Sequence, residues 1–152
     1  MTIHPRFKHR LRSATVAAYE ACDECGRPRI VLAEDDAEMR ALLVTALLQD
    51  EYEVIEVRDG AELLRYLASE CLRTLTGPPI DLVISDLRMP GRSGLEVLAR
   101  LRYSDWATPF ILTTAFGDPE THAEARRLGA AAVFDKPFDI DDLRTVVCNL
   151  VA

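Results

Sequence analysis

The chain has 152 residues, 49% of them hydrophobic and 28% charged, with a formal charge of −7. This is the size and balance of one globular domain with a core of its own. No apolar stretch nears the roughly 20 residues that span a bilayer, the N-terminus lacks the apolar centre of an export signal, and the acidity argues against general nucleic-acid binding.

The cytoplasm is therefore the expected place of action. Charge is unevenly spread: residues 1–29 hold Arg6, Lys8, Arg10, Arg12, Arg27 and Arg29 against Glu20, Asp23 and Glu24, so the remainder is more acidic than the whole. Residues 1–27 read as a basic extension and residues 28–152 as the domain. Phe7, Leu11, Ala14, Ala18 and Cys22 fall at helical spacing, which predicts an amphipathic helix over 6–21. Cys22 and Cys25 resemble half of a zinc knuckle, but a closed zinc site needs four ligands. Zinc there, a redox pair and an ordinary tail all stay open at this point. Cys71 and Cys148 lie in predicted helices and are expected in the core.

From residue 29 the chain alternates. Arg29 to Ala33 is a short apolar run closed by Glu34, Asp35 and Asp36, and reads as a buried strand. Ala37 to Gln49 has the composition of a helix. Tyr52 to Val57 is β-branched and predicts a second strand, and Ala61 to Leu72 carries leucines at helical spacing. Gly77-Pro78-Pro79 breaks the chain before a third strand, Ile80 to Ser85, which delivers Asp86 into Leu87-Arg88-Met89-Pro90-Gly91. Ser93 with Glu96 three residues on is a capping-box pattern that opens a helix to about Tyr103. Pro109 to Thr113 is a fourth strand. Asp118 followed by Pro119 starts another helix and Gly129 stops it. Ala131 to Phe134 is a fifth strand and Asp139 to Val151 a last helix. Strands joined by single helices require right-handed parallel crossovers, which predicts a three-layer α/β domain.

Parallel sheets bind ligands beyond the C-terminal ends of their strands. Every strand but the second ends there in a reactive polar group: Glu34, Asp35 and Asp36; Asp86; Thr113 and Thr114; Asp135 and Lys136. Clustered carboxylates repel one another unless a cation sits among them, and a hard divalent ion with oxygen ligands, Mg²⁺ above all, suits such a site. Lys136 and a threonine hydroxyl beside it make an anion-binding set for phosphoryl oxygens. An aspartate can attack phosphorus and form an aspartyl-phosphate.

Four stretches in order, Ile30 to Asp36, Asp81 to Gly91, Leu112 to Ala115 and Asp135 to Phe138, resemble the receiver domain of two-component response regulators over residues 28–152. The resemblance implies a five-stranded, doubly wound, flavodoxin-like sheet of order 2-1-3-4-5. It implies Asp86 as phospho-acceptor and Glu34, Asp35, Asp86 and the Arg88 backbone carbonyl as ligands of Mg²⁺, with Mn²⁺ an alternative. It implies Thr114 as the hydroxyl that moves onto the phosphoryl group, Lys136 as its neutralising charge, and a cis peptide at Lys136-Pro137. Asp36 is left as a helix cap. The family's aromatic switch position holds Val133, so the usual ring is missing. Arg88 and Phe116 occupy positions that tune dephosphorylation in the family.

The implied partners are a histidine kinase or phosphotransfer protein and a downstream protein target; nucleic acid and membrane are not expected, and a homodimer is left open. The chain ends about where the last helix ends, so a stand-alone receiver without a fused output domain is the expectation. It is read as a signalling protein rather than an enzyme, acting catalytically only on Asp86. A pseudo-receiver would lack the acceptor or the acidic pair. An aspartate-nucleophile phosphatase would want an acid where Arg88 stands, and a nucleotide-binding enzyme would want glycines where Glu34 to Asp36 stand.

Overall fold

A computed structural model of the chain describes residues 26–73, 79–115 and 117–151, the side chains of 71–73 excepted. Five strands lie in these residues: β1 (Arg29–Ala33), β2 (Glu53–Val57), β3 (Leu82–Asp86), β4 (Phe110–Thr114) and β5 (Ala132–Asp135). Each is followed by one helix: α1 (Ala37–Gln49), α2 (Gly60–Arg73), α3 (Gly94–Tyr103), α4 (Pro119–Arg127) and α5 (Ile140–Val151). All neighbouring strands pair in parallel, in the order β2-β1-β3-β4-β5, as expected. The predicted helix over 6–21, Cys22, Cys25, the Cys71 side chain and Phe116 lie outside the described residues.

Two apolar cores cover the two faces of the sheet. Val31, Val83 and Leu112 point toward Leu63 and Leu67 of α2, Val97, Leu98 and Leu101 of α3, and Ala125 of α4. Ile30, Leu32, Ile84 and Ile111 point the other way, toward Leu43 and Leu47 of α1 and Leu143, Val147 and Leu150 of α5. The alternation along each strand assigns each residue to its layer. β3 and β4 are buried along their whole length, whereas the edge strand β2 buries only Val57 fully.

Three strand ends, those of β3, β4 and β5, lie one residue beyond the sequence reading, for one reason. Leu87 N–H donates to the Thr113 carbonyl at 2.7 Å and Lys136 N–H to the Thr114 carbonyl at 2.7 Å. The ladder therefore runs one residue further than the apolar pattern suggests, and Asp86, Thr114 and Asp135 are the last residues of their strands.

Helix α4 is held differently from its neighbours. Its one fully buried residue is Ala125. Beyond its C-terminus, Arg102 on α3 donates from Nε to the Leu128 carbonyl at 3.1 Å and from Nη2 to the Gly129 carbonyl at 3.2 Å. Toward its N-terminus, His122 Nε2 lies 2.9 Å from Asp135 Oδ1 at the end of β5.

Cys148 corrects an expectation: it is exposed rather than in the core. Leu143, Val147, Leu150 and Val151 take the buried face of α5, and Cys148, one residue past Val147, is rotated about 100° away from it. It lines an open groove of about 550 Å³ with Tyr52, Asp50 and Arg144. There Arg144 grips Asp50 with two bonds, of 2.6 and 2.8 Å, tying α5 to the end of α1.

Leu98 is fully buried in α3, so Leu98→Ala should lower unfolding free energy by about 2–5 kcal/mol in urea titrations. Leu48→Ala, on the half-exposed side of α1, should change it by no more than about 0.5 kcal/mol. The hydrogen bonds from Arg144 hold the Asp50 carboxyl below its ordinary 3.8. A carboxyl lowered in the folded state contributes stability above its unfolded pKa and loses it as pH falls through the folded one. Asp50→Asn should therefore lower Tm at neutral pH, and the gap to the unaltered chain should close as pH is taken down through 3.8 and below.

Candidate functional site

The parallel order brings the C-terminal ends of β1, β3, β4 and β5 to one edge of the sheet. At that edge Glu34 is 1% exposed, Asp86 7%, and Thr113 and Thr114 1% each. Asp35 is exposed at the mouth. Asp36 caps α1 instead of joining the cluster: its Oδ1 accepts the N–H groups of Glu38 at 2.9 Å and Met39 at 3.0 Å. Two further bonds fix Glu34. Asp36 N–H donates to its Oε1 at 3.3 Å, and Arg40 Nη1 to its backbone carbonyl at 2.8 Å.

Lys136 closes the arrangement from the far side. Its Nζ donates to both Glu34 carboxylate oxygens at 3.2 Å and to Asp86 Oδ2 at 3.1 Å. Residues 102 and 50 positions apart thus meet around one ammonium. The Lys136-Pro137 peptide is cis. Burial and then the Asp86 charge push the Glu34 carboxyl above its usual range, although Lys136 opposes both. Burial disfavours the Lys136 ammonium, yet its bonds and attraction to Asp86 and Glu34 outweigh this and raise its pKa.

Oxygens of Glu34, Asp35 and Asp86 all lie within 4.8 Å of one another. One ammonium among three carboxylates leaves an excess of negative charge in a partly buried place. An all-oxygen donor set with that excess fits a hard divalent cation that keeps some of its waters. The same place offers one carboxylate beside a cation, which is what an attack on an anionic phosphorus centre requires.

Of the residues picked out from sequence, Glu34, Asp35, Asp86 and Lys136 come together directly. Arg88 sits two residues past Asp86 in the loop between β3 and α3, with its side chain exposed. Thr113 stands opposite Asp86 across β3 and β4, while Thr114 is one position further toward the strand ends and pairs with Asp135. Val133 is half-buried against the core shared by α2, α3 and α4.

Sequence reasoning passed over three residues that shape the site. Arg40 anchors the Glu34 backbone. Ser85 Oγ donates to the Asp86 carbonyl at 2.9 Å. Gly94 packs so closely that a Cβ there would lie 2.6 Å from the Asp86 carbonyl oxygen and 2.7 Å from Leu112 Cδ2. A glycine as the first residue of a helix has no propensity to recommend it, and that oddity was the signal.

The family model of the response regulator receiver domain matches residues 30–148. Sporulation initiation phosphotransferase F of Bacillus subtilis is 31% identical over 119 residues, 78% of this chain and 90% of that protein. The regulatory protein AtoC of Escherichia coli is 34% identical over 119 residues, but the chain spans only 24% of its length. Among solved structures, the response regulator TrrA from Thermotoga maritima, in complex with Mg(2+)-BeF, is 30% identical with a TM-score of 0.67, over 80% of this chain and 96% of that one. Chemotaxis protein CheY4 of Vibrio cholerae is 26% identical with a TM-score of 0.69, over 82% of this chain and all of that one. The residues matched by the family model include Glu34, Asp35, Asp86 and Lys136, and the chain belongs to the response regulator receiver domain family of two-component signalling.

Proposed function

We infer that this receiver takes a phosphoryl group onto Asp86 from a histidine kinase or phosphotransfer protein and passes the signal on through contacts with a protein target. The observation that carries the reading is the Lys136 ammonium, 3.1 Å from Asp86 and 3.2 Å from Glu34. It is a positive charge placed where a phosphoryl group on Asp86 would bring new negative charge.

In this reading Glu34, Asp35, Asp86 and the Arg88 carbonyl would hold Mg²⁺, and Mn²⁺ would satisfy the same oxygen donors. The bound ion would supply Lewis-acid neutralisation of phosphoryl oxygens. The free Asp86 oxygen attacks phosphorus, the bond from phosphorus to the donor's imidazole nitrogen breaks, and that nitrogen leaves with the electron pair. Lys136 stays beside the new phosphoryl group, and the Thr114 hydroxyl donates to it. The face of α4, β5 and α5 then carries the change outward. Val133 supplies no ring for this, so the readout depends on other contacts of that face. Residues 1–27 are read as a basic arm on a receiver that begins at about residue 28, and the cytoplasm as the place of action. The zinc alternative at Cys22 and Cys25 has no part in this chemistry.

Incubation with Mg²⁺ and acetyl phosphate should add one phosphoryl mass to the unaltered chain and none to Asp86→Asn; no gain in the first, or an equal gain in both, overturns the reading. A second expectation follows from Glu34. A carboxyl raised in the folded state means that its ionised form opposes folding above that pKa, and that stability rises as pH falls toward its unfolded value. Glu34→Gln should thus raise Tm in a chelator at neutral pH. It should also abolish the further rise in Tm that Mg²⁺ gives the unaltered chain, both read by differential scanning calorimetry.

A further inference from the structure

Gly60, the first residue of α2, lies against the loop that joins β3 to α3. A Cβ on Gly60 would overlap the Arg92 carbonyl oxygen and lie 2.6 Å from the Arg92 carbonyl carbon and 2.7 Å from its Cβ. Two of these three atoms are backbone, so no side-chain rotation relieves the overlap. The next position touches the same loop: a Cβ on Gly91 would sit 3.9 Å from Ala61 Cβ. The loop therefore rests along the first turn of α2.

The loop is pinned at its base. Leu87 N–H donates to the Thr113 carbonyl at 2.7 Å, and Gly94 N–H returns to the Leu87 carbonyl at 2.9 Å. Residues 88–93 form a short closed excursion with both ends at Leu87, and the Arg88 carbonyl belongs to it. Pressure at Arg92 would therefore fall on this excursion rather than on its bonded base.

The opposing surface does not yield. Leu63 and Leu67 anchor α2 in the core at 0% and 1% exposure. Asp59 caps the helix, its Oδ1 accepting from Glu62 N–H at 2.8 Å. Glu62 Oε2 in turn accepts from Arg58 N–H at 3.1 Å.

We propose that Gly60 is a positioning residue for the cation site: the missing side chain lets the loop settle at the height that presents the Arg88 carbonyl beside Asp86. This rests on the reading of Asp86 and its neighbours as an Mg²⁺ site and adds a residue that touches neither metal nor phosphoryl group.

The test is Mg²⁺ titration calorimetry on the full chain, with Tm in a chelator measured alongside. Gly60→Ala should raise the Mg²⁺ dissociation constant by about 10-fold, the scale seen when a group supporting a metal ligand is disturbed. Phosphorylation by acetyl phosphate should slow at low Mg²⁺ and recover at saturating Mg²⁺. Adding Arg92→Gly removes the Cβ contact and lets that peptide re-orient, so the double variant should regain part of the affinity. Ala68→Gly, on the exposed side of the same helix, should lower Tm yet leave Mg²⁺ binding within about 2-fold of the unaltered chain. Unchanged Mg²⁺ affinity in Gly60→Ala, or an equal loss in Ala68→Gly, overturns the proposal while the site reading stands. An unaltered chain that binds no Mg²⁺ removes both.

Discussion

A single ammonium group holds the functional edge of this protein together. Lys136 Nζ reaches Glu34 from β1 and Asp86 from β3, and its own backbone N–H continues the ladder from β4. Three separate strand ends are thereby fixed to one point. The ion pairs are largely out of water, where such contacts are strong but desolvation is costly. The arrangement is incomplete as charge: three carboxylates face one cation, and burial together with the Asp86 charge raises the Glu34 pKa. A fold that leaves this excess at the mouth of its sheet holds affinity for cations in reserve.

Much of this was legible because the signals were local. Apolar runs ending in polar groups marked the strands, and parallel topology then required the polar groups to share an edge. Asp36 and Asp118 read correctly as caps because capping depends on residues two or three positions away. The four stretches around Asp35, Asp86, Thr114 and Lys136 were specific in combination.

What escaped the sequence depends on neighbours far along the chain. Helix α1 is apolar nearly all round, so its pattern could not say that Leu43 and Leu47 would be buried while Leu42 and Leu48 stay half exposed. Cys148 looked like a core residue because small apolar side chains surround it in sequence; only the rotation of α5 against the sheet turns it outward. Gly60 and Gly94 have no helix propensity that would single them out at helix starts. Their reason lies in the Arg92 and Asp86 backbones, 32 and 8 positions away, which pack where a Cβ would be. Strand ends were misplaced by one residue because the last ladder bonds come from Leu87 and Lys136, outside the apolar pattern.

Helix α4 has only Ala125 fully buried, with an arginine clamp beyond one end and the His122–Asp135 contact near the other. Burial anchors a helix broadly and without direction, whereas these polar attachments act at points and weaken with salt and competing hydrogen bonds. Arg102 holds the C-terminal end of α4, and the contact near its other end lies one residue from the lysine that reaches Asp86. The charged edge of the sheet and the attachment of α4 thus meet in adjacent residues, Asp135 and Lys136, while the core beneath the helix contributes one small side chain.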